Sequence, residues 1–112
     1  MQLSSDQAVI PPAKLRDYLL STDHPDGHSK ARYLGRLGYR REDWRRLDRD
    51  LRDQILPLDA REAGASRWGI KYEILAVLRG PNGRAAWIRS IWIVLRGETA
   101  PRLVTLTPWQ EP

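Results

Sequence analysis

The chain has 112 residues, a formal net charge of +5 and no cysteine. This length allows a single domain over residues 1–112 with one modest core, and the lack of cysteine excludes disulfides, thiolate catalysis and cysteine-ligated zinc. No apolar run is long enough to span a bilayer, and the first residues lack the pattern of a signal peptide. We therefore expect a cytoplasmic protein that contacts no membrane, and delivery by a secreted system stays open.

The first half of the chain carries helical patterns. Residues 1–10 are expected to form a flexible lead-in, and residues 11–56 the helical part of the domain. Apolar side chains recur there at helical spacing in three stretches, residues 11–20, 29–37 and 43–56. The pattern predicts two or three helices.

The period changes to that of strands after a loop over residues 58–66. Residues 70–79 and 84–95 alternate like strands and are joined by Gly80-Pro81-Asn82-Gly83, which fits a type I turn with a glycine bulge. A further strand is predicted over residues 102–107, so that the sheet region spans residues 67–108. The sequence therefore predicts an α+β domain, in which the N-terminal helices pack on an antiparallel meander of three to four strands.

Both histidines fall within nine residues, His24-Pro25-Asp26-Gly27-His28-Ser29-Lys30-Ala31-Arg32. Imidazole is the side chain best suited to move protons near neutral pH, so His24 is a candidate acid or base. His28 precedes a helix N-terminus, where the helix dipole favours its neutral form. The alternatives are a structural histidine at position 24 and a plain surface residue at position 28.

Two cations follow the histidines in the first turn of the second predicted helix. The exposed amides of that turn, together with Lys30 and Arg32, predict an anion site that suits phosphate. Two histidines four residues apart do not complete a metal site, because no acidic ligand stands at the required spacing. We therefore expect no metal and no cofactor.

One charge interrupts the apolar centre of the sheet. Arg89 lies in an otherwise apolar strand, so it must reach a rim, hold a ligand, or pair with Glu73 or Glu98. Other strand residues offer cations and hydroxyl groups that a ligand could bind, and these are Lys71, Tyr72, Arg102 and Thr105.

Several segments together carry a family resemblance. They are Lys14-Leu15-Arg16-Asp17-Tyr18-Leu19-Leu20, His24-Pro25 with Gly27, Lys30, Ala31 and Arg32, Gly69 with Lys71-Tyr72, Gly80-Pro81 and Gly83, Ile88-Arg89-Ser90, Trp92-Ile93-Val94, and Gly97-Glu98 with Pro101-Arg102-Leu103-Val104-Thr105. From Lys14 to Thr105 the chain resembles an uncharacterised family of small bacterial domains, domain of unknown function 6883. That resemblance implies no established activity.

The family pattern differs from this chain at one place. Members often carry an aromatic residue near the end of the last strand, where this chain has Thr107. This chain either lacks any role of that residue or fills it with Tyr72. More loosely, the architecture resembles toxin nuclease domains of the barnase, colicin and RelE type. This looser likeness implies that His, Lys, Arg and Thr side chains gather on one sheet face.

These observations favour a metal-independent ribonuclease of the toxin type. His24 would serve as acid or base, Lys30 and Arg89 would stabilise the scissile phosphate, and Thr105 would donate a hydrogen bond. The residues expected to bind the substrate are His28, Arg32, Lys71, Tyr72 and Arg102. The hypothesis requires the histidine loop to lie against the arginine-bearing surface of the sheet.

Two other interpretations stay open. The chain could be a noncatalytic basic module that binds nucleic acid or an acidic protein, because the C-terminal half carries most of the net positive charge. It could also be an assembly domain that dimerises through an apolar sheet face. The expected partners are accordingly RNA, an acidic antitoxin or immunity protein, or a second copy of the chain.

Overall fold

Three short helices precede the sheet in the computed structural model, which describes residues 1–110. Their bounds are Pro12–Lys14 for α1, continued by a π-helical turn over Leu15–Leu19; His28–Gly35 for α2; and Trp44–Asp50 for α3, preceded by a 3-10 turn over Arg41–Asp43 and continued by a π-helical turn over Leu51–Ile55. Within residues 1–110, none of the helices has the length and apolar character needed to cross a membrane.

Four antiparallel strands follow in a meander. They are β1 (Arg61–Ser66), β2 (Gly69–Arg79), β3 (Ala85–Leu95) and β4 (Pro101–Pro108), and their order in the sheet is β1-β2-β3-β4. This arrangement confirms the predicted α+β class, with N-terminal helices and a C-terminal meander. The long apolar strand β3 lies between β2 and β4, as its two apolar faces indicated.

The core lies between the helices and one face of the sheet, called here the inner face. Alternate residues of the strands reach it, and the fully buried ones are Ile74, Leu78, Ile88, Trp92 and Leu106. They pack against helical side chains such as Leu15 and Leu51, which are also fully buried. The indole of Trp92 donates to the Ser90 hydroxyl over 2.9 Å, which satisfies both buried polar groups.

The N-terminal segment differs from the expected flexible lead-in. Leu3, Ala8 and Ile10 are buried in the core. The Val9 amide donates to the Pro101 carbonyl over 2.8 Å, and the Leu103 amide donates to the Val9 carbonyl over 3.0 Å. The segment thus extends the sheet in parallel beside β4, because three apolar residues and an open strand edge outweigh its polar composition.

The strand β1 falls where the sequence predicts a loop. It pairs with β2 along its length, with a bulge between Glu62 and Gly64. Every side chain of β1 is exposed, so this strand carries no alternation of apolar and polar residues. Its pairing rests on backbone hydrogen bonds and on one ion pair between Arg61 and Glu73, and the sheet therefore begins at Arg61 instead of residue 67.

The turn between β2 and β3 is held by the end of α2. The Asn82 amide donates to the Leu37 carbonyl over 3.2 Å, and the Asn82 side chain donates to the Arg36 carbonyl over 2.9 Å. Gly80 lies so close to Leu37 that any side chain at position 80 would collide with its carbonyl oxygen. Gly83 has a φ of 88°, which fits the predicted glycine bulge.

Candidate active site

An open surface pocket of about 720 Å³ lies where α1 meets the middle of β4. Three segments form its wall: the start of the first helix, the loop that follows it, and the middle of β4. The residues that line it are Pro11, Ala13, Lys14, Asp17, Tyr18, His24, Asp26, Val104 and Thr105. Its volume falls in the range of small-ligand sites.

The phenol of Tyr18 lies at the centre of this pocket. Its oxygen is 3.1 Å from the Thr105 hydroxyl oxygen. The Nζ atoms of Lys14 and Lys30 lie 5.5 Å and 5.3 Å from the Tyr18 ring centroid. The His24 ring meets the same phenol edge-on, with centroids 5.0 Å apart. Two amines, two hydroxyls and an imidazole therefore converge on one place.

Local packing explains why Tyr18 points there. Leu15 and Leu19 are fully buried on either side of it, so the turn that carries all three is anchored in the core. Tyr18 lies at the rim of this apolar face and is only half-buried. A tyrosine at such a rim can keep its ring against the core while its hydroxyl reaches a polar partner, and here that partner is Thr105.

The cations of the pocket lower the pKa of Tyr18. Burial alone would raise the pKa of this phenol, but hydrogen bonds from Thr105 and Lys30 and the positive charges of Lys30 and Lys14 outweigh that effect. The pKa of Tyr18 therefore lies below its ordinary value. The interactions with Thr105 and the two lysines favour the phenolate over the phenol, so the surroundings of the Tyr18 oxygen favour negative charge, although Asp17 and Asp26 also line the pocket.

The loop fixes the tautomer of His24. Its Nδ1 atom accepts hydrogen bonds from the Asp26 and Gly27 amides, each over 3.0 Å. In the neutral ring the proton therefore stands on Nε2, which can donate but cannot accept. This geometry suits a hydrogen-bond donor to an anion, and it does not suit the role of general base that the sequence left open for His24.

His28 has the opposite tautomer. Its Nδ1 atom donates to the Pro25 carbonyl over 2.9 Å and lies 3.2 Å from the His24 carbonyl oxygen. The Nε2 atom of the neutral ring is thus an acceptor. His28 is exposed at the start of α2 and does not line the pocket.

Arg89 is bound by an acid instead of a ligand. Its Nε atom lies 2.6 Å from Glu73, whose other carboxylate oxygen is 2.7 Å from Arg61. The hydrogen bond from Arg89, opposed by burial and reinforced by Arg61, holds the pKa of Glu73 below its usual range. Pairing with Glu73 was one alternative for Arg89, and it keeps this arginine out of the pocket.

The other predicted site residues lie apart from the pocket. Arg102 pairs with Glu98 over 3.2 Å, Lys71 is exposed on the sheet face away from the helices, and Tyr72 packs against the core. Arg32 lines a separate groove with Arg40 and Arg41. The structure therefore brings together His24, Lys30 and Thr105, but not His28, Arg32, Lys71, Tyr72, Arg89 or Arg102.

Two residues of the pocket, Tyr18 and Lys14, were not predicted from the sequence as site residues. Tyr18 was counted only as part of an apolar helix face, and Lys14 was not considered as a site residue. Their spacing of four residues, which places both on one side of a helical turn, was the signal that could have linked them. Nothing local in the sequence relates Tyr18 to Thr105, because 87 residues separate them.

Within residues 1–110, no group of three or more His, Asp or Glu side chains is arranged to hold a metal ion.

Comparisons with known proteins identify a family but no activity for the pocket. No curated protein and no solved structure matches the chain, so the likeness to barnase, colicin and RelE-type nucleases has no support. The profile of one family matches residues 3–110. The chain therefore belongs to the family described as domain of unknown function (DUF6883).

Proposed function

We propose that the chain is a metal-independent ribonuclease of the toxin type, with its scissile phosphate bound in the pocket at Tyr18. The observation that carries this proposal is the set of groups around the phenol. The amines of Lys14 and Lys30 and the His24 ring lie against the Tyr18 ring. The Thr105 hydroxyl lies 3.1 Å from the Tyr18 oxygen, and the pKa of that phenol is lowered. A phosphodiester needs this combination of charge, donors and a proton acceptor.

The donors and cations would act on the phosphate. In the transition state of transesterification, negative charge grows on the nonbridging oxygens, and fixed donors in a site partly shielded from water stabilise that charge most effectively. Lys14 and Lys30 supply the positive charge. The neutral imidazole of His24 donates through Nε2, since its Nδ1 is occupied by backbone amides.

Tyr18 would act as the general base. The phenolate takes the proton of the ribose 2′-hydroxyl, and the 2′ oxygen forms a bond to phosphorus while the bond from phosphorus to the 5′ oxygen breaks. Water in the open pocket protonates the departing oxygen. The products are a 2′,3′-cyclic phosphate and a 5′-hydroxyl end, and no metal takes part in the proposed steps.

The test is cleavage of a fluorescent single-stranded RNA by the purified chain in the presence of a chelator. We expect cyclic-phosphate ends, and no cleavage where the scissile ribose is replaced by deoxyribose. Tyr18→Phe should lose about 10²-fold or more in rate, the usual contribution of a general base. Tyr33→Phe is the matched control, because the Tyr33 hydroxyl donates to the Trp87 carbonyl outside the pocket.

Three outcomes would contradict the proposal: intact RNA with the wild-type chain, equal cleavage of the deoxyribose substrate, or full activity of Tyr18→Phe. A growth assay adds the toxin aspect. Expression of the wild-type chain in the cytoplasm should arrest growth, and Tyr18→Phe should relieve the arrest at equal protein level. An acidic antitoxin or immunity protein would then be the expected inhibitor.

A further inference from the structure

The sheet face turned away from the helices, called here the outer face, carries an apolar strip. By strand register, Val77 lies opposite Trp87, Glu73 opposite Ile91, and Lys71 opposite Ile93. The apolar members of the strip are Leu75, Val77, Trp87, Ile91 and Ile93. Val77 is 43% exposed, and Leu75, Trp87 and Ile93 are half-buried.

The strip is covered only in part: Ile91 is 8% exposed and the Trp109 ring lies against Trp87, whereas Val77 stays open. The buried core of residues 1–110 draws its strand residues from the inner face, and it contains none of the five members of the strip. Contiguous apolar surface of this kind marks contact sites for other proteins when polar residues border it. The border of the strip is therefore informative.

That border carries a surplus of positive charge. The one acid among the outer-face residues of β2 and β3, Glu73, is already shared by Arg61 and Arg89. Two further cations of β2 lie on this face, Lys71 and Arg79. Within residues 1–110 neither of them has a carboxylate oxygen within 4.0 Å.

We propose that the outer face is a docking surface for an acidic protein whose contact region has an apolar centre bordered by carboxylates. Such a partner would cover Val77 and its neighbours and would place acids opposite Lys71 and Arg79. Complementary charge of this kind selects the partner and speeds its association.

Two other occupants fit the face less well. A second copy would bring the same two cations towards each other, and like charges across an interface are unfavourable. A single-stranded nucleic acid is held by aromatic rings on which its bases stack. Here the strip consists mainly of aliphatic side chains, and the Trp87 ring is already in edge-on contact with Trp109 at 5.2 Å between centroids.

The test uses the full chain and three variants. Val77→Asp places a charge in the centre of the strip, Lys71→Glu combined with Arg79→Glu reverses the border, and Arg49→Glu is the matched control on the exposed surface of α3. Each of the four chains is immobilised on a resin, and the resin is incubated with a lysate of the source organism. A protein retained by the wild type is identified, produced in pure form and titrated against all four chains by calorimetry, with thermal melts to verify folding.

We expect a purified partner with an acidic contact surface, whose affinity falls about tenfold or more with Val77→Asp and with the double reversal but is unchanged by Arg49→Glu. Charge reversal of partner carboxylates should restore binding to the double variant. Retention of no acidic protein, or equal binding by all variants, would overturn the proposal. Two further results would overturn it: the purified wild type forms a dimer that Val77→Asp abolishes, or it binds a labelled RNA and Val77→Asp abolishes that binding.

No member of the strip lines the pocket at Tyr18, although Ile91 lies opposite Thr105 in the sheet. Variants at Tyr18 and at Val77 therefore test the two proposals separately. Tyr18→Phe should bind the acidic partner as tightly as the wild type does. Val77→Asp should cleave RNA at the wild-type rate when no partner is present.

Discussion

The backbone of Gly27 lies directly against the carbonyl group of Tyr18, so that a Cβ atom on Gly27 would collide with the Tyr18 oxygen. The φ of Gly27 is −93°, which any residue adopts. The glycine is therefore required for close approach and not for conformational freedom. The Gly27 amide also donates to Nδ1 of His24, so one residue without a side chain holds both rings of the pocket in place.

Gly27→Ala should separate the loop from α1. We expect RNA cleavage to fall about tenfold or more, since small misplacements of catalytic groups have large effects on rate. Overpacking should also lower the free energy of unfolding by about 1–3 kcal/mol. Urea titration and the cleavage assay measure the two effects.

Gly35→Ala is the matched control for Gly27→Ala. Nothing lies within 4 Å of a Cβ added at Gly35, and a helical glycine replaced by alanine gains about 0.5–1 kcal/mol. This variant should keep its cleavage rate and unfold at equal or higher urea concentration. Full activity of Gly27→Ala would show that the close contact does not position the site.

Lys30→Met should raise the pKa of Tyr18. It removes a hydrogen bond and a positive charge that favour the phenolate, and Lys14 alone compensates less of the burial of the phenol. Ultraviolet difference titration against Tyr18→Phe isolates this one tyrosine. The pH at which cleavage rises should move upward with it, whereas Lys71→Met on the outer face should move neither.

Tyr39→Phe should destabilise the fold without affecting the pocket. The Tyr39 hydroxyl donates to the buried Asp50 carboxylate over 2.7 Å, and removing one partner of a buried carboxylate costs about 1–3 kcal/mol. Thermal and urea unfolding measure the loss. An unchanged free energy of unfolding would show that Arg46, which also donates to Asp50, satisfies this carboxylate alone.

Tyr39 should also make the free energy of unfolding depend on pH in the alkaline range. Burial, with the nearby Asp50, raises the pKa of Tyr39 well above its ordinary value, so the folded state holds this proton more tightly than the unfolded state does. Stability from this group is complete below about pH 10 and declines as the pH rises further. The wild type should therefore lose stability above about pH 10 more steeply than Tyr39→Phe.

Glu73→Gln should make the free energy of unfolding depend less steeply on pH in the acid range. The pKa of Glu73 is lowered in the folded state, chiefly by Arg89, so its contribution is present above about pH 4.3 and is lost as the pH falls through the folded value. Urea titrations between about pH 3 and pH 6 should show a shallower decline for the variant than for the wild type. Asp53→Asn on the exposed side of α3's continuation should leave the slope unchanged.

Arg52→Ala should release the N-terminal segment. The Nη1 atom of Arg52 donates to the carbonyls of Ser5 and Ala8 over 2.8 Å and 2.9 Å, which ties residues 5–8 to the third helix. We expect a loss of about 1–3 kcal/mol and faster hydrogen exchange at the Val9 and Leu103 amides. Arg49→Ala is the control, and equal exchange in both variants would contradict this role.

The sequence predicted the fold correctly where buried side chains recur with a regular period. The alternation in β2 and β3 and the glycine-bearing turn between them predicted the central hairpin, because buried side chains repeat every second residue there. It could not reveal β1, whose side chains are all exposed. The packing of Leu3 and Ile10 was hidden for a similar reason, since isolated apolar residues in a polar segment show no period.

The candidate site was less predictable than the fold. His24 and Lys30 were found because unusual residues cluster in sequence, and Thr105 because hydroxyls on a strand face are candidate donors. Arg89 was misleading as a ligand-binding residue, since a charge in an apolar strand is equally explained by an acid on the neighbouring strand. Tyr18 was hidden because its spacing fits a core position, and only the folded chain shows that its hydroxyl meets Thr105.

The attachment of the β2–β3 turn to the end of α2 determines where this protein can be engineered. A fluorophore, affinity tag or inserted domain at Asn82 would break two hydrogen bonds to the helix end and disturb the element that carries Lys30. The turn after β3 is the better insertion point, because a Cβ at Gly97 would meet nothing within 4 Å. Biosensors for RNA or partner binding should therefore be spliced at Gly97.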